Sequence, residues 1–361
     1  MSKTFSTLLC GTILAAGAAS AQTNLRIQTH QPAESVWGQL IGEFVQQVEA
    51  MSDGDLTIEM FYSSPVVATA ETFTAAANGI LDCDMTNGSY QTGLNPAFQF
   101  VADPMGGYDT PLQFLAWINY GGGEEAIQNL YQANGMHFVG AYTGGQESMN
   151  STEPLAGVDD LKGWKFRSPP GMESEIFAEL GSSPIVMDFT EIFTALETGI
   201  IDGADASTLA NNVGMGIYDV ATHATYPGFH SMSADHLACS TAVWDSLSDA
   251  NKAILETAMD SIALKLMLNM LVANGEAAVS LPDQGVTLHD WSQEDRQTFR
   301  KAAVGRWQEW ADRTPETAEL VESHLAFQKR IGLGVESEGS GDGAEASDSG
   351  SDASEGGSTS Q

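Results

Sequence analysis

From Asn24 to His30 the stretch "NLRIQTH" alternates apolar and polar residues as a half-buried strand does, and over 35–51 the residues Trp37, Leu40, Ile41, Phe44, Val45 and Val48 recur at helical spacing. The unit then repeats. "LTIEMFY" (56–62) predicts a second strand, "TAETFTAAANG" a helix stopped by Gly79, and "LDCDMTNG" a third strand. Three strands separated by two helices imply a parallel sheet with right-handed crossovers. A helix carrying Leu112, Leu115, Trp117 and Ile118 follows, then "GGGEEAIQNLYQANG", a helix closed by Asn134-Gly135, and the strand "MHFVGAYTGG".

A second α/β unit begins at "DLKGWKFRSPPGM", where Lys162 and Lys165 alternate with Trp164 and Phe166 and the strand ends at Arg167, turned by Ser168-Pro169-Pro170-Gly171. Helix 172–180 stops at Gly181, and the strand "PIVMDF" precedes helix 190–198, stopped by Gly199 before the strand "IIDGADAS". A long helix then runs from an N-cap at Ser248 to about Asn274, with Ile254, Ala258, Ile262, Leu266 and Met270 at one-turn spacing. Such a stripe packs inside its own domain or forms a homodimer seam.

The two ends depart from this pattern. Lys3, the short apolar run "LLCGTILAAGAA" and Ala19-Ser20-Ala21 make an export signal over 1–21, cleaved near Ala21. No later run reads as long and apolar enough to span a bilayer. From 335 to 361 the chain is acidic, Gly/Ser-rich and without an aromatic residue, so a disordered tail is expected. Net charge is -34, and it stays near minus 28 once Lys3 and the seven acids from Glu336 onward are set aside. A field of that sign disfavours nucleic acid and anionic lipid as partners. Cys83 and Cys239 are too few for a disulfide framework; burial as small apolar residues is the reading preferred, with a single bridge left open.

Catalytic signatures are missing: no GxSxG elbow, no HExxH, no nucleotide-binding GxGxxG. The triple glycine 121–123 leads into Glu124 and Glu125, which would repel a phosphate. His223, His230, His236 and Cys239 with Asp235 have spacings that fit no compact metal site and read as scattered histidines. What remains is a set of strand ends, because ligands of parallel sheets bind at the carboxyl ends of the strands. These ends are His30, 87–90, 144–146, Arg167 and 202–205, and Arg167 is the one fixed positive charge among them.

The blocks "LKGWKFR", "ELGSSPIVMDFTEIFTALETGIIDGADAS" and "IYDVATHATYPGFH" resemble the solute-binding proteins of tripartite ATP-independent periplasmic (TRAP) transporters, closest in look to the branch that binds 2-oxo and related organic acids. The resemblance spans Leu25 to Gly332 and implies a two-lobed α/β periplasmic binding protein fold with the ligand cleft between lobes. It implies a periplasmic protein that captures a small carboxylate and delivers it to a TRAP permease, not an enzyme. Lobe I is expected over 22–144 plus about 233–272, and lobe II over 145–232 plus about 273–334. The family's carboxylate-clamping arginine falls on Arg167, whose planar fork matches one carboxylate; an ordinary salt bridge is the competing reading. The ligand set expected is Arg167, Gln146, Asn87, Tyr90 and Asp205, with Phe229 as an apolar wall. A sodium or calcium ion bridging the ligand would use Gln146 and Asp205. Ser231 and Ala206 stand where that branch has a glutamate and a tryptophan, which weakens the metal site and reshapes the pocket.

Two other functions compete with ligand capture. A secreted enzyme would use Asp202 or Asp205 as a base on a small organic acid, and a sensor subunit would dock a receptor through the tail or the long helix.

Overall fold

The computed structural model describes residues 22–333; the signal expected over 1–21 and the tail over 335–361 lie outside them. The strands β1 (Thr23–Gln28), β2 (Leu56–Phe61) and β3 (Cys83–Asp84) alternate with the helices α1 (Val36–Met51) and α2 (Thr72–Ala77). β1 pairs in parallel with both β2 and β3, as strand–helix–strand crossovers require. Trp37, Leu40, Ile41, Phe44 and Val48 form the buried face of α1, and the Ser35 hydroxyl caps it by accepting from the Gly38 N–H at 3.1 Å. After α3 (Phe98–Ala102), α4 (Pro111–Tyr120) and α5 (Gly123–Ala133) the chain returns as β4 (Met136–Thr143).

The second sheet is built from β5 (Ser148–Ser151), β6 (Lys165–Ser168), α6 (Met172–Glu179), β7 (Ser183–Val186), α7 (Ile192–Glu197), β8 (Gly203–Ser207), α8 (Leu209–Gly214) and β9 (His223–Thr225). β6 runs parallel to β7 on one side and β8 on the other, so Arg167 sits at the carboxyl end of an interior strand. The chain then crosses back as β10 (Ala234–Ser240), which enters the first sheet between β3 and β4, antiparallel to both. It continues through α9 (Thr241–Ser246), α10 (Asp249–Ser280), the edge strand β11 (Thr287–His289), α11 (Gln293–Ala311) and α12 (Pro315–Arg330). The sheet orders are β2-β1-β3-β10-β4 and β11-β9-β5-β8-β6-β7.

Three sequence expectations are corrected here. Cys83 and Cys239 are not separate buried thiols: β10 sets them side by side in register and they form a disulfide across 156 residues of chain. The segment 249–284 is long and apolar enough to cross a membrane by length and composition, contrary to the reading of the later chain. Its Leu255, Met259, Ile262, Leu266 and Met270 pack in the core with α1 and β4. The segment 273–334, assigned wholly to lobe II, divides: α11 packs on α6, whereas α12 returns to α3 and α5 of the first lobe.

Candidate functional site

Arg167 is 2 % exposed, yet none of its partners is an acid. Nε donates to the Met187 carbonyl at 3.3 Å, Nη1 to the Asp205 carbonyl at 2.7 Å and Nη2 to the Tyr90 hydroxyl at 3.1 Å. The guanidinium also faces the Phe189 ring, 5.8 Å from its centroid. Among the described residues no carboxylate oxygen lies within ion-pair distance of it, so the ordinary salt-bridge reading finds no partner. A guanidinium has five N–H donors. Three are engaged, which leaves one on each terminal nitrogen, the pair a carboxylate accepts side by side.

Those free donors border a tight cleft with a cavity volume of about 30 Å³ in this closed form, walled on the first lobe by His30, Trp37, Asn87 and Tyr90 and on the second by Arg167, Phe189 and Asp205. Tyr90 keeps its own proton to donate, and burial pushes its pKa up. Asn87 lines the cleft with its amide already committed: Nδ2 donates to Ser233 Oγ at 2.6 Å and the Ala234 carbonyl at 2.9 Å, and Oδ1 accepts from the Ser89 N–H. The lobes are closed on each other. Besides Arg167 to Tyr90, the Met172 N–H donates to Gln99 Oε1 at 2.8 Å and Asn211 Nδ2 to Gln31 Oε1 at 3.3 Å.

Below Arg167 lies a buried group of acids that spacing alone does not reveal: Asp103, Glu147, Glu173 and Asp205, with His230 and Ser231. Gly228 lets this assembly close, since a Cβ there would stand 2.0 Å from the Glu147 carbonyl oxygen. Ser231 Oγ lies 2.5 Å from Asp103 Oδ2 and 2.8 Å from Glu147 Oε2. One hydroxyl proton cannot serve both, so one of these acids carries a proton and donates to the serine. Burial accounts for which acids hold protons: it raises Asp103 to about 6 and holds Glu147 and Glu173 well above the usual carboxylate range. Asp205 behaves oppositely. Burial would raise it, but His230, with Nε2 3.1 Å from Asp205 Oδ1, and Arg167 hold it low.

Gln146 and Phe229 are not brought to Arg167. They line a separate hollow with Asp109, Arg296 and Arg300, where Gln146 Nε2 donates to the Asp109 carbonyl and Phe229 lies under the Arg296 guanidinium. Gln146 and Asp205 therefore do not share a coordination site, and among the described residues no group of three or more His, Cys, Asp or Glu is arranged to hold a metal. The donor set does not fit the bridging sodium or calcium. The scattered histidines are not gathered at one site: His223 bonds His289, His236 bonds Asp84, and His230 Nε2 lies 3.1 Å from Asp205 Oδ1 without a hydrogen bond. Sequence reasoning reaches Arg167, Tyr90 and Asp205 through strand ends and resemblance; Glu147, Asp103, Trp37 and Phe189 carry no comparable signal.

A family model described as bacterial extracellular solute-binding protein, family 7, matches residues 27–314. A monocarboxylate 2-oxoacid-binding periplasmic protein of Nostoc sp. is 28% identical over 303 residues, 82% of this chain and 83% of its own. The sialic acid-binding periplasmic protein of Vibrio cholerae is 23% identical over 303 residues, 83% of this chain and 92% of its own. Among solved structures, a TRAP periplasmic solute-binding protein from Rhodobacter sphaeroides, in an apo open form, matches with TM-score 0.69 and 32% identity over 87% of this chain and 100% of its own. One from Pseudoalteromonas atlantica, with bound sodium and pyruvate, shares the fold with TM-score 0.77 at 24% identity, over 86% of this chain and 95% of its own.

Proposed function

This chain belongs to the bacterial extracellular solute-binding proteins of family 7, and we propose that it captures a small monocarboxylate, with a 2-oxo acid as the leading class, and delivers it to a TRAP membrane permease. The observation that carries this reading is Arg167, a buried guanidinium with no acidic partner among the described residues and one free N–H on each terminal nitrogen. Arg167 steadies the nearby ionised Asp205 without forming an ion pair with it, and a ligand carboxylate on the two free N–H groups would make that pair. The name of the Nostoc relative supports the oxoacid class. Export to the periplasm, with cleavage near Ala21, belongs to the same reading. No cation role is assigned to Gln146 and Asp205 in it, because the two line separate hollows.

The enzymatic alternative has poor candidates for a base. Asp205 is buried against His230 and held low, and Asp202 is paired with Lys165 at 3.6 Å. A homodimer is the second element of the proposal. Leu264, Leu268, Leu271 and Val272 on α10 are all more than half exposed, beside a hollow of mixed polar and apolar lining that α10 shares with α4 and β4. An exposed apolar surface of this kind marks an interface, and sedimentation tests it directly. The ligand itself is tested by thermal shift against pyruvate, 2-oxobutyrate, lactate and malonate. A ligand at 100 times its dissociation constant adds about 2.7 kcal/mol to stability. A rise with the 2-oxo acids supports the reading, and no rise with any carboxylate contradicts it.

A further inference from the structure

His30, just beyond β1, packs edge-on against Phe189 and Tyr90, with ring centroids 4.7 and 5.8 Å away. These are the same two side chains that the Arg167 guanidinium touches, so histidine and arginine flank one corner of the cleft. Burial keeps the His30 pKa below its ordinary value, and the ring is neutral at neutral pH. Its tautomer follows from a relay that begins at a donor of fixed polarity. The Trp37 backbone N–H donates to Asn211 Oδ1 at 3.4 Å, so the Asn211 Nδ2 group points to Gln31 Oε1, at 3.3 Å. Gln31 Nε2 must then be the donor to His30 Nε2, at 3.1 Å, and its second hydrogen goes to Asp235 Oδ2 at 3.3 Å. Asp235 lies 3.7 Å from His30 Nε2, too far to accept a hydrogen bond from it. Nε2 is an acceptor, so the proton sits on Nδ1, which is buried in the cleft wall without a partner.

We propose that His30 is a specificity-determining residue: its Nδ1–H donates to an oxygen on the ligand carbon next to the carboxylate held by Arg167, so the site selects 2-oxo or 2-hydroxy acids over plain carboxylic acids. This rests on the carboxylate-capture reading above. Without that second oxygen the Nδ1–H stays buried and unpaired, and such sites discriminate strongly against ligands that lack the acceptor.

The test is calorimetry with sodium pyruvate and sodium propionate, matched in chain length and differing in the 2-oxo group, on the parent, His30→Leu and His30→Asn. The parent is expected to prefer pyruvate. His30→Leu should weaken pyruvate by about tenfold to a hundredfold and leave propionate within about threefold. His30→Asn, whose Nδ2 replaces the donor at the Nδ1 position, should recover part of the preference. An unchanged pyruvate-to-propionate ratio in His30→Leu overturns the role of His30 alone, whereas a parent that binds neither acid overturns the capture reading beneath it. A readout independent of ligand and of variant folding is the nitrogen-15 spectrum of the parent. It should show the Nδ1–H tautomer at His30, and an Nε2–H tautomer contradicts the proposal.

Discussion

The Asp188 carboxylate, beyond β7 on the second lobe, accepts from both the backbone N–H of Thr69, at 3.0 Å, and its hydroxyl, at 2.8 Å, on the first lobe. It also caps its own 3-10 turn through the Thr190 N–H, so the acid is rigidly held before it bridges the cleft. Although burial would raise it, the hydrogen bonds from Thr190 and Thr69 keep its pKa low. The latch is therefore ionised at neutral pH.

Closure should depend on this latch. Asp188→Ala removes two hydrogen bonds to a charged acceptor that join the two lobes, which should cost closure about 1.5–3 kcal/mol per bond at most. Small-angle scattering should show the ligand-free variant more extended than the parent, with ligand affinity reduced. Because the carboxylate is held low, the latch is complete above its ordinary range and weakens as pH falls below about 4. Identical scattering for the parent and the variant would remove Asp188 from the closing mechanism.

The strand–helix pattern makes β1, β2, β6 and β7 legible, because each is followed by a predicted helix, stopped by a glycine after β2, β6 and β7, and it brings in β3 and β8 as the strands that follow those stops. β10 is not legible. It lies more than 150 residues from β3 in sequence, and nothing local in "ADHLACS" says that it slots between β3 and β4. The disulfide is lost with it. α11 and α12 are mostly polar on their outer faces, with about one buried residue per turn, such as Phe299, Ala303 and Trp307, so periodicity alone gives them little weight. At the site, Arg167 stands out because positive charges are few, whereas Glu147 is one of 48 acidic residues and nothing in its neighbours marks it as buried.

Within the acid cluster, amide substitution should separate protonated members from the ionised one. Glu147 is held well above its usual range and carries a proton at neutral pH, so Glu147→Gln supplies an N–H to Ser231 and should change stability by less than about 1 kcal/mol. Asp205 is held low, and Asp205→Asn, which removes the carboxylate charge beside Arg167 and His230, should destabilise the fold more than Glu147→Gln does. Urea titration of both variants checks this, and equal losses would contradict the proton assignment.

The Cys83–Cys239 bridge should stabilise the first lobe chiefly by restricting the unfolded chain, since it closes a loop of 156 residues. The paired Cys83→Ala, Cys239→Ala variant should lose about 2–5 kcal/mol. Its melting temperature, compared with that of the parent under reducing and non-reducing conditions, is the check. A variant as stable as the oxidised parent would show the bridge to be energetically idle.

Acid sensitivity should trace in part to His324. On α12 it stacks on Trp117 at 3.6 Å, its Nε2–H donates to the Phe100 carbonyl at 2.7 Å, and Nδ1 accepts from the Tyr108 hydroxyl at 2.8 Å. Burial pushes its pKa down to about 3. Below pH 6.5 the unfolded chain takes up a proton that the folded chain refuses, so stability falls between pH 6.5 and 3, by up to ~5 kcal/mol from this residue. Asp103, raised to about 6, works in the opposite sense between pH 4 and 6. His324→Gln should flatten the slope of stability against pH by about one proton's worth, and an unchanged slope would contradict the assignment.

The account depends most on Arg167, and isothermal calorimetry of pyruvate binding to Arg167→Ala tests it most directly. Its guanidinium is buried, and its partners inside the protein are two carbonyls and one hydroxyl. Loss of the clamp should cost ~2–5 kcal/mol of binding, about 30-fold or more in affinity, with circular dichroism and melting showing an intact fold. Arg167→Lys should fail nearly as badly, because a point charge cannot reproduce the fork. An alanine variant that binds within threefold of the parent would contradict the central claim that this arginine holds the ligand's carboxylate.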